Sequence, residues 1–291
     1  MPITLNPSGS KRKMTRVLSE NTLESYARDG YHFPLDVLTP DEVVSYRSKL
    51  ESYEQREGHP ITGPARSKSH LLFTWVDQLI RLPKILDAVE DLIGPDILCW
   101  STLWWIKEES SESFVSWHQD VRYWGLDSND LVTAWLALSP ATLESGCMHV
   151  LPGSHKGEVM PHTDEYKDDN LLTRGQEIAV PIDTSKTIAM PLSPGQVSLH
   201  NVRIAHASQP NRSADRRIGL SMHYIPTSAR QQAVEWDSAS LVRGVDRHHH
   251  FTLAPRPRYD FDPDAVQFHE RASIAFREIL FKDAEQVRPL L

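Results

Sequence analysis

From Ile97 onward the chain is cut into short runs rich in β-branched and aromatic residues: "ILCWSTLWWI", "FVSWHQDV", "LVTAWLAL", "CMHVLP", "VSLHNVRIAHAS" and "RIGLSMHYIP". Clusters of Pro, Gly, Ser and Asp separate them. Many short strands punctuated by turns predict an antiparallel barrel or a double-sheet jelly roll. Upstream the texture is helical. "SENTLESYARDGYHFPLDVLTPDEVVSYRSKLESYEQREG" predicts a short helix, a strand and a longer helix, the last capped by Thr39, with Pro40 in its first turn and Asp41 and Glu42 favourable to its dipole. "LPKILDAVEDLIGPD" places Ile85, Val89, Leu92 and Ile93 at helical spacing and stops at Gly94-Pro95. These helices are expected to cover one face of the strands. "FHERASIAFREILF" predicts a closing helix, and Pro161 to Ala179, with neither period, a long surface loop of the kind that forms lids or binding loops.

A chain of 291 residues that is 40% hydrophobic can bury a sizeable core. One domain over residues 21–291 is expected, preceded by a flexible tail, residues 1–20, that carries the basic run "KRK". A net charge of −8 opposes a broad phosphate-binding surface, so no nucleic-acid partner is expected. No segment approaches the roughly 20 apolar residues that span a bilayer, and the N-terminus lacks a secretory apolar stretch. The expectation is a soluble, cytoplasmic protein with a small-molecule partner. Cys99 and Cys147 lie in apolar contexts without CxxC spacing, which predicts buried thiols and leaves the Asn211-Arg212-Ser213 sequon unused.

The stretch "SWHQDVRYWG" sets His118 and Asp120 two residues apart among aromatics. In a strand such residues share a face, while Gln119 points away unless the strand twists or ends there. An imidazole nitrogen and a carboxylate oxygen both suit Fe(II), yet His-x-Asp alone is weak ground against a polar interruption in a core strand. Further evidence lies 88 positions on, at His206, with Arg217 eleven residues beyond it. Two histidines and a carboxylate make a facial triad that leaves three coordination positions open. Two of these suit the keto and carboxylate oxygens of 2-oxoglutarate and one suits dioxygen, while an arginine fork can grip the far carboxylate bidentately. His200 is the rival third ligand; His206 alone has the eleven-residue step to Arg217 and the "HAS" context. Along "RIGLSMHYI", Arg217, Gly219, Ser221 and His223 share a face fit to line a cavity, while Ile218, Leu220, Met222 and Tyr224 pack against a layer.

"WHQD", "TAWLALSPATLESGCMHVLPGSHKG" and "HASQPNRSADRR", in that order, resemble the phytanoyl-CoA dioxygenase family of Fe(II)/2-oxoglutarate oxygenases, from about Tyr26 to Pro226. The resemblance implies a mainly β chain with flanking helices, built as a double-stranded β-helix, a cupin-like jelly roll. It implies Fe(II) on His118, Asp120 and His206, dioxygen as co-reactant, and 2-oxoglutarate anchored by Arg217 with Gln119, Trp135 and Ser208 lining its pocket. "YWGL" after the His-x-Asp and "NLLTRGQ" in the loop match bacterial members. Halogenases of the superfamily carry a small residue where this chain has Asp120, so halogenation is not expected.

Among the aromatics Trp104, Trp105, Trp117, Tyr123, Trp124 and Trp135, Tyr123 and Trp124 are expected to wall the substrate pocket and the rest to be core. Arg174 either meets an anionic substrate group or is solvated; His223 either approaches substrate or bonds within the barrel. Lys68 and Lys107 are weaker cosubstrate candidates, His155 caps or orients, and His248 to His250 read as surface. The expected reaction is hydroxylation of an unactivated C–H bond in a small metabolite, an amine, phosphonate or natural-product intermediate, with succinate and carbon dioxide formed; desaturation and epimerisation are variants. An acyl-CoA substrate calls for a cationic patch that this acidic chain does not advertise. A zinc hydrolase also uses two histidines and an aspartate but leaves Arg217 unexplained; a non-enzymatic binding protein would need a broken triad.

Overall fold

The computed structural model describes residues 17–287. Local signals set the helical prelude. Ser19 accepts a hydrogen bond from the Thr22 N–H and starts α1 (Glu20–Asp29). β1 (Tyr31–Asp36) leads to α2 (Pro40–Glu57), which opens on a reciprocal capping box: Thr39 accepts from the Glu42 N–H while the Glu42 carboxylate accepts from the Thr39 N–H. α3 (Thr74–Leu79) lacks a side-chain cap, and α4 (Pro83–Ile93) stops at Gly94, where φ is +92°. Of the tail expected over residues 1–20, residues 1–16 lie outside the described residues. Val17 and Leu18, within that expected tail, both donate to Asp91 of α4 at 2.9 Å, and Leu18 is buried.

The strand-rich half supplies β2 (Ile97–Lys107), β3 (Val115–His118), β4 (Val132–Ala137), β5 (Met148–Val150), β6 (His162–Asp164), β7 (Gln176–Ile178), β8 (Ile188–Met190), β9 (Gln196–Asn201), β10 (His206–Ser208), β11 (Arg217–Pro226), β12 (Ser238–Arg243) and β13 (Thr252–Leu253). Between them lies the short α5 (Val121–Trp124), and α6 (Pro263–Leu280) closes the order. The larger sheet runs β1-β9-β4-β11-β2-β12-β13 and the smaller β3-β10-β5-β8. Among the described strands only β12 and β13 pair in parallel. These two sheets make the jelly roll, a mainly β architecture with flanking helices.

β11 shows why the sheets enclose a site. Ile218, Leu220, Met222 and Tyr224 pack with Leu50 of α2, Val76 and Leu79 of α3, and Ile85 and Val89 of α4, so these helices cover the outer face. Arg217, Ser221 and His223 turn to the opposite face and line a cavity shared with His118 of β3 and His206 of β10. α6 closes one end, packing Phe276 and Ile279 among Trp100 and Trp124. The segment expected as an aperiodic surface loop instead contains the β6–β7 hairpin, and Asn170, Leu172 and Gln176 are buried. Cys99 and Cys147 are buried free thiols. Among the described residues no helix is long and apolar enough to cross a membrane.

Candidate active site

β3 ends at His118, and the chain turns at once into α5, leaving Asp120 in the right-handed helical region (φ −57°, ψ −40°). Asp120 therefore reaches the site from a turn rather than by strand alternation. His206 stands directly opposite His118 in the β3–β10 register. Ligand atoms of His118, Asp120 and His206 all lie within 4.8 Å of one another, with His118 Nε2 3.3 Å from Asp120 Oδ1. That separation approximates the edge of an octahedron, about 3 Å for metal–ligand bonds near 2.1 Å.

The tautomers also suit a metal. His118 Nδ1 lies 2.9 Å from the Ser116 carbonyl and His206 Nδ1 3.1 Å from the Ile204 carbonyl, so each Nδ1 donates and each Nε2 keeps its lone pair. His118 Nε2 is buried and meets no hydrogen-bond partner. Burial pushes the Asp120 carboxyl up, but the His118 contact and the nearby imidazoles outweigh it and hold it well below the usual carboxylate range. Burial pushes His206 down to about 4. At neutral pH the group thus offers a carboxylate and a neutral imidazole, a donor set that fits a divalent iron.

Arg217 marks one end of the cavity. Its Nη1 donates to the Gly146 carbonyl at 2.8 Å, its Nε has no partner, and its guanidinium stands 5.3 Å from the Trp135 ring centre. Gly219 makes room for that ring: a Cβ there would fall 1.9 Å from the indole. Lys107 is the cross-strand partner of Arg217 and donates to Ser208 Oγ at 2.7 Å and to the Gln209 carbonyl. Burial, then Arg217, push Lys107 down to about 5, and burial lowers Arg217 to about 10. Arg217 and the neutral Lys107 amine, held out of water side by side, would both be favoured in their charged forms by an anion bound between them. Lys107, rated a weak candidate from sequence, belongs to this end of the molecule.

Other expected residues separate into two groups. Trp135, Ser208, Trp124 and His223 line the cavity. Gln119 does not: its Nε2 donates to the Arg203 carbonyl at 2.6 Å and its Oε1 accepts from the Met160 N–H at 2.8 Å, so its amide braces the loop behind the site. Tyr123 lies behind the wall as well, edge-on to His162 and 5.1 Å under the Arg174 guanidinium. Arg174 is neither solvated nor open to a substrate anion, since it holds Asp164 and the carbonyls of Leu280 and Lys282. His200 lines the cavity, its ring 5.0 Å from His206, but stands outside the ligand trio. Lys68 is buried elsewhere, donating to the Trp100 carbonyl at 2.6 Å. Missed from sequence were Thr133, Leu171, Leu172, Phe276 and Leu280, all lining the cavity. Thr133 was legible in principle, being two residues before Trp135 on β4.

Among the described residues, five of the ten buried side-chain polar atoms without a partner belong to residues lining this cavity: His118, Thr133, His200, Arg217 and His223. Buried polar groups are normally satisfied, so their gathering around one space points to bound groups that complete them.

Comparison with known proteins agrees with this geometry. The family model of phytanoyl-CoA dioxygenase (PhyH) matches residues 26–219, more than half of the chain. A probable alpha-ketoglutarate-dependent hypophosphite dioxygenase of Stutzerimonas stutzeri is 32% identical over 64% of this chain and 65% of that protein, slightly under two thirds of its length. Peroxisomal phytanoyl-CoA dioxygenase of Bos taurus is 29% identical over 78% of this chain and 74% of its own. Among solved structures, the non-heme monooxygenase ThoJ in its apo form superposes with a TM-score of 0.79 at 34% identity, covering 89% of this chain and 96% of that one.

Proposed function

Because this chain belongs to the phytanoyl-CoA dioxygenase family of Fe(II)/2-oxoglutarate-dependent oxygenases, we propose that it hydroxylates an unactivated C–H bond of a small metabolite such as an amine, phosphonate or natural-product intermediate. The observation that carries the reading is the convergence of His118, Asp120 and His206 on one point of a cavity whose far end holds a half-satisfied arginine. His118, Asp120 and His206 hold the iron. When bound, iron couples oxidative decarboxylation of 2-oxoglutarate to succinate and carbon dioxide with oxygen insertion into the substrate C–H bond.

The chain's own part is to bind, orient and keep dry. The Ser116 and Ile204 carbonyls fix the two imidazoles with Nε2 toward the metal position. Arg217 receives the far carboxylate of 2-oxoglutarate, its guanidinium held against Trp135, with Ser208 and Lys107 alongside. Trp124, Leu171, Leu172 and Phe276 shield the reacting bond from water. The intact Asp120 leaves no place for a halide among the ligands.

The test is a substrate screen under air with Fe(II) and 2-oxoglutarate, reading succinate. An accepted compound raises succinate release in the wild-type protein, whereas His206→Ala lowers it at least about a hundredfold, as loss of an essential ligand requires. Restoration by Zn(II) after chelation, or turnover surviving His206→Ala, sinks the proposal. The likeness to bovine phytanoyl-CoA dioxygenase favours an acyl-CoA thioester as the second reading, and such thioesters belong in the same screen.

A further inference from the structure

Three orphaned groups form a row. On the larger sheet His223 of β11 faces Thr133 of β4, and Thr133 faces His200 of β9, in consecutive register pairs. All three side chains are buried, at 4%, 2% and 1% exposure respectively, and all three line the cavity. Each carries a buried polar atom that no protein group meets: His223 Nδ1, Thr133 Oγ1 and His200 Nδ1. Strands lie about 4.8 Å apart, so the row offers hydrogen bonds across roughly 10 Å of cavity wall. Leaving three such groups unsatisfied costs free energy unless a ligand or ordered water completes them.

The row sits away from the cosubstrate end. His223 is six residues along β11 from Arg217, about 20 Å at the rise of a strand. Around it the surface is apolar: Trp124 packs on His223 with ring centres 4.5 Å apart, and Phe276 and Leu280 of α6 complete the wall. Asp120 and Arg217 are the only Asp, Glu, Lys or Arg side chains among the lining residues. In the proposed function both are already committed, one to iron and one to 2-oxoglutarate. Arg174, the one cation expected to meet a substrate anion, is bound to Asp164 and two carbonyls. Among the described residues lining the cavity no further fixed charge is left to neutralise a charged substrate group, and an unpaired buried charge is strongly unfavourable.

We propose that the substrate moiety enclosed here is uncharged, with an apolar body against Trp124, Phe276 and Leu280 and a neutral hydroxyl, carbonyl or amide group held by the His200–Thr133–His223 row. This rests on the oxygenase reading and narrows its substrate class away from phosphonates and ammonium compounds.

Calorimetry on the anaerobic Fe(II) protein, with and without 2-oxoglutarate, tests it. Octanamide and 1-octanol serve as neutral probes, octanoate, octylamine and hypophosphite as charged ones. Each neutral probe should bind at least about tenfold tighter than any charged one, and Thr133→Val should weaken octanamide about tenfold, the loss of one hydrogen bond. His223→Leu should do likewise, with His223→Gln recovering part of the affinity. Charged probes binding as well as neutral ones, no discrimination at all, or octanamide indifferent to both Thr133→Val and His223→Leu overturns the assignment. Should the variants fail to fold, the wild-type ranking decides alone. Failure of 2-oxoglutarate itself to bind the iron protein would instead strike at the oxygenase reading, so the two failures are distinct.

Discussion

An added methyl group at Gly219 would have to displace the Trp135 indole, because its carbon would fall 1.9 Å from the ring. That ring supports the Arg217 guanidinium, so Gly219→Ala is expected to weaken 2-oxoglutarate binding by roughly tenfold to a hundredfold, the scale of an ångström-sized misplacement. Calorimetric titration of 2-oxoglutarate into the iron protein measures it, and an unchanged affinity would show that Trp135 does not position the arginine. Single residues also show what a sequence conveys. His118, His206 and Arg217 are legible because alternation and hairpin length place them, and both are local rules. Asp120 is not, since β3 ends at His118 and it reaches the site from the turn that follows, while alternation does turn Gln119 away and only the family resemblance implied a pocket role for it. The unsatisfied state of Thr133 is invisible until β9 and β11 are known to flank β4.

At the scale of elements, two pieces of non-sheet structure close the cavity: the segment between β6 and β7, with Leu171, Leu172 and Thr173, and α6, with Phe276 and Leu280. Arg174 ties them, bonding Asp164 of β6 and the carbonyls of Leu280 and Lys282. No sequence rule links positions separated by 106 and 108 residues, so Arg174 looked like either a solvated or a substrate-facing cation. By contrast α2 was legible to its first residue, because Thr39, Pro40 and Glu42 carry the cap locally. Arg174→Ala should destabilise the protein by about 1–3 kcal/mol, less than a fully buried pair since both side chains keep some exposure. Hydrogen exchange provides the sharper check: amides of residues 162–178 and the end of α6 should exchange faster while α2 to α4 stay protected. Uniform acceleration across the molecule would mean that Arg174 contributes to global stability only, not to a latch.

Taken as a whole, the described molecule holds several buried histidines neutral. Composition supplies the net charge of −8, yet it could not reveal that fully buried His70, His200 and His223 would all be held neutral. Burial pushes His223 down to about 4 and pushes His70 and His200 well below the ordinary value of 6.5. Each therefore takes up its proton more readily in the unfolded chain, so between pH 6.5 and about 4 the unfolded state binds more protons and stability falls as pH falls. Lys107, down at about 5 from 10.5, adds the same sign across a wider window, because the unfolded chain holds its proton from pH 5 upward. One extra proton on the unfolded state corresponds to about 1.4 kcal/mol per pH unit, so several groups acting together should give the metal-free protein a steep loss of stability from pH 6.5 to 5. Denaturant titrations across that range measure the slope, and His223→Gln should reduce it by up to one proton's worth. A profile that is flat below pH 6.5 would show that these imidazoles ionise in the folded protein, and the neutral character of the cavity wall would fall with it.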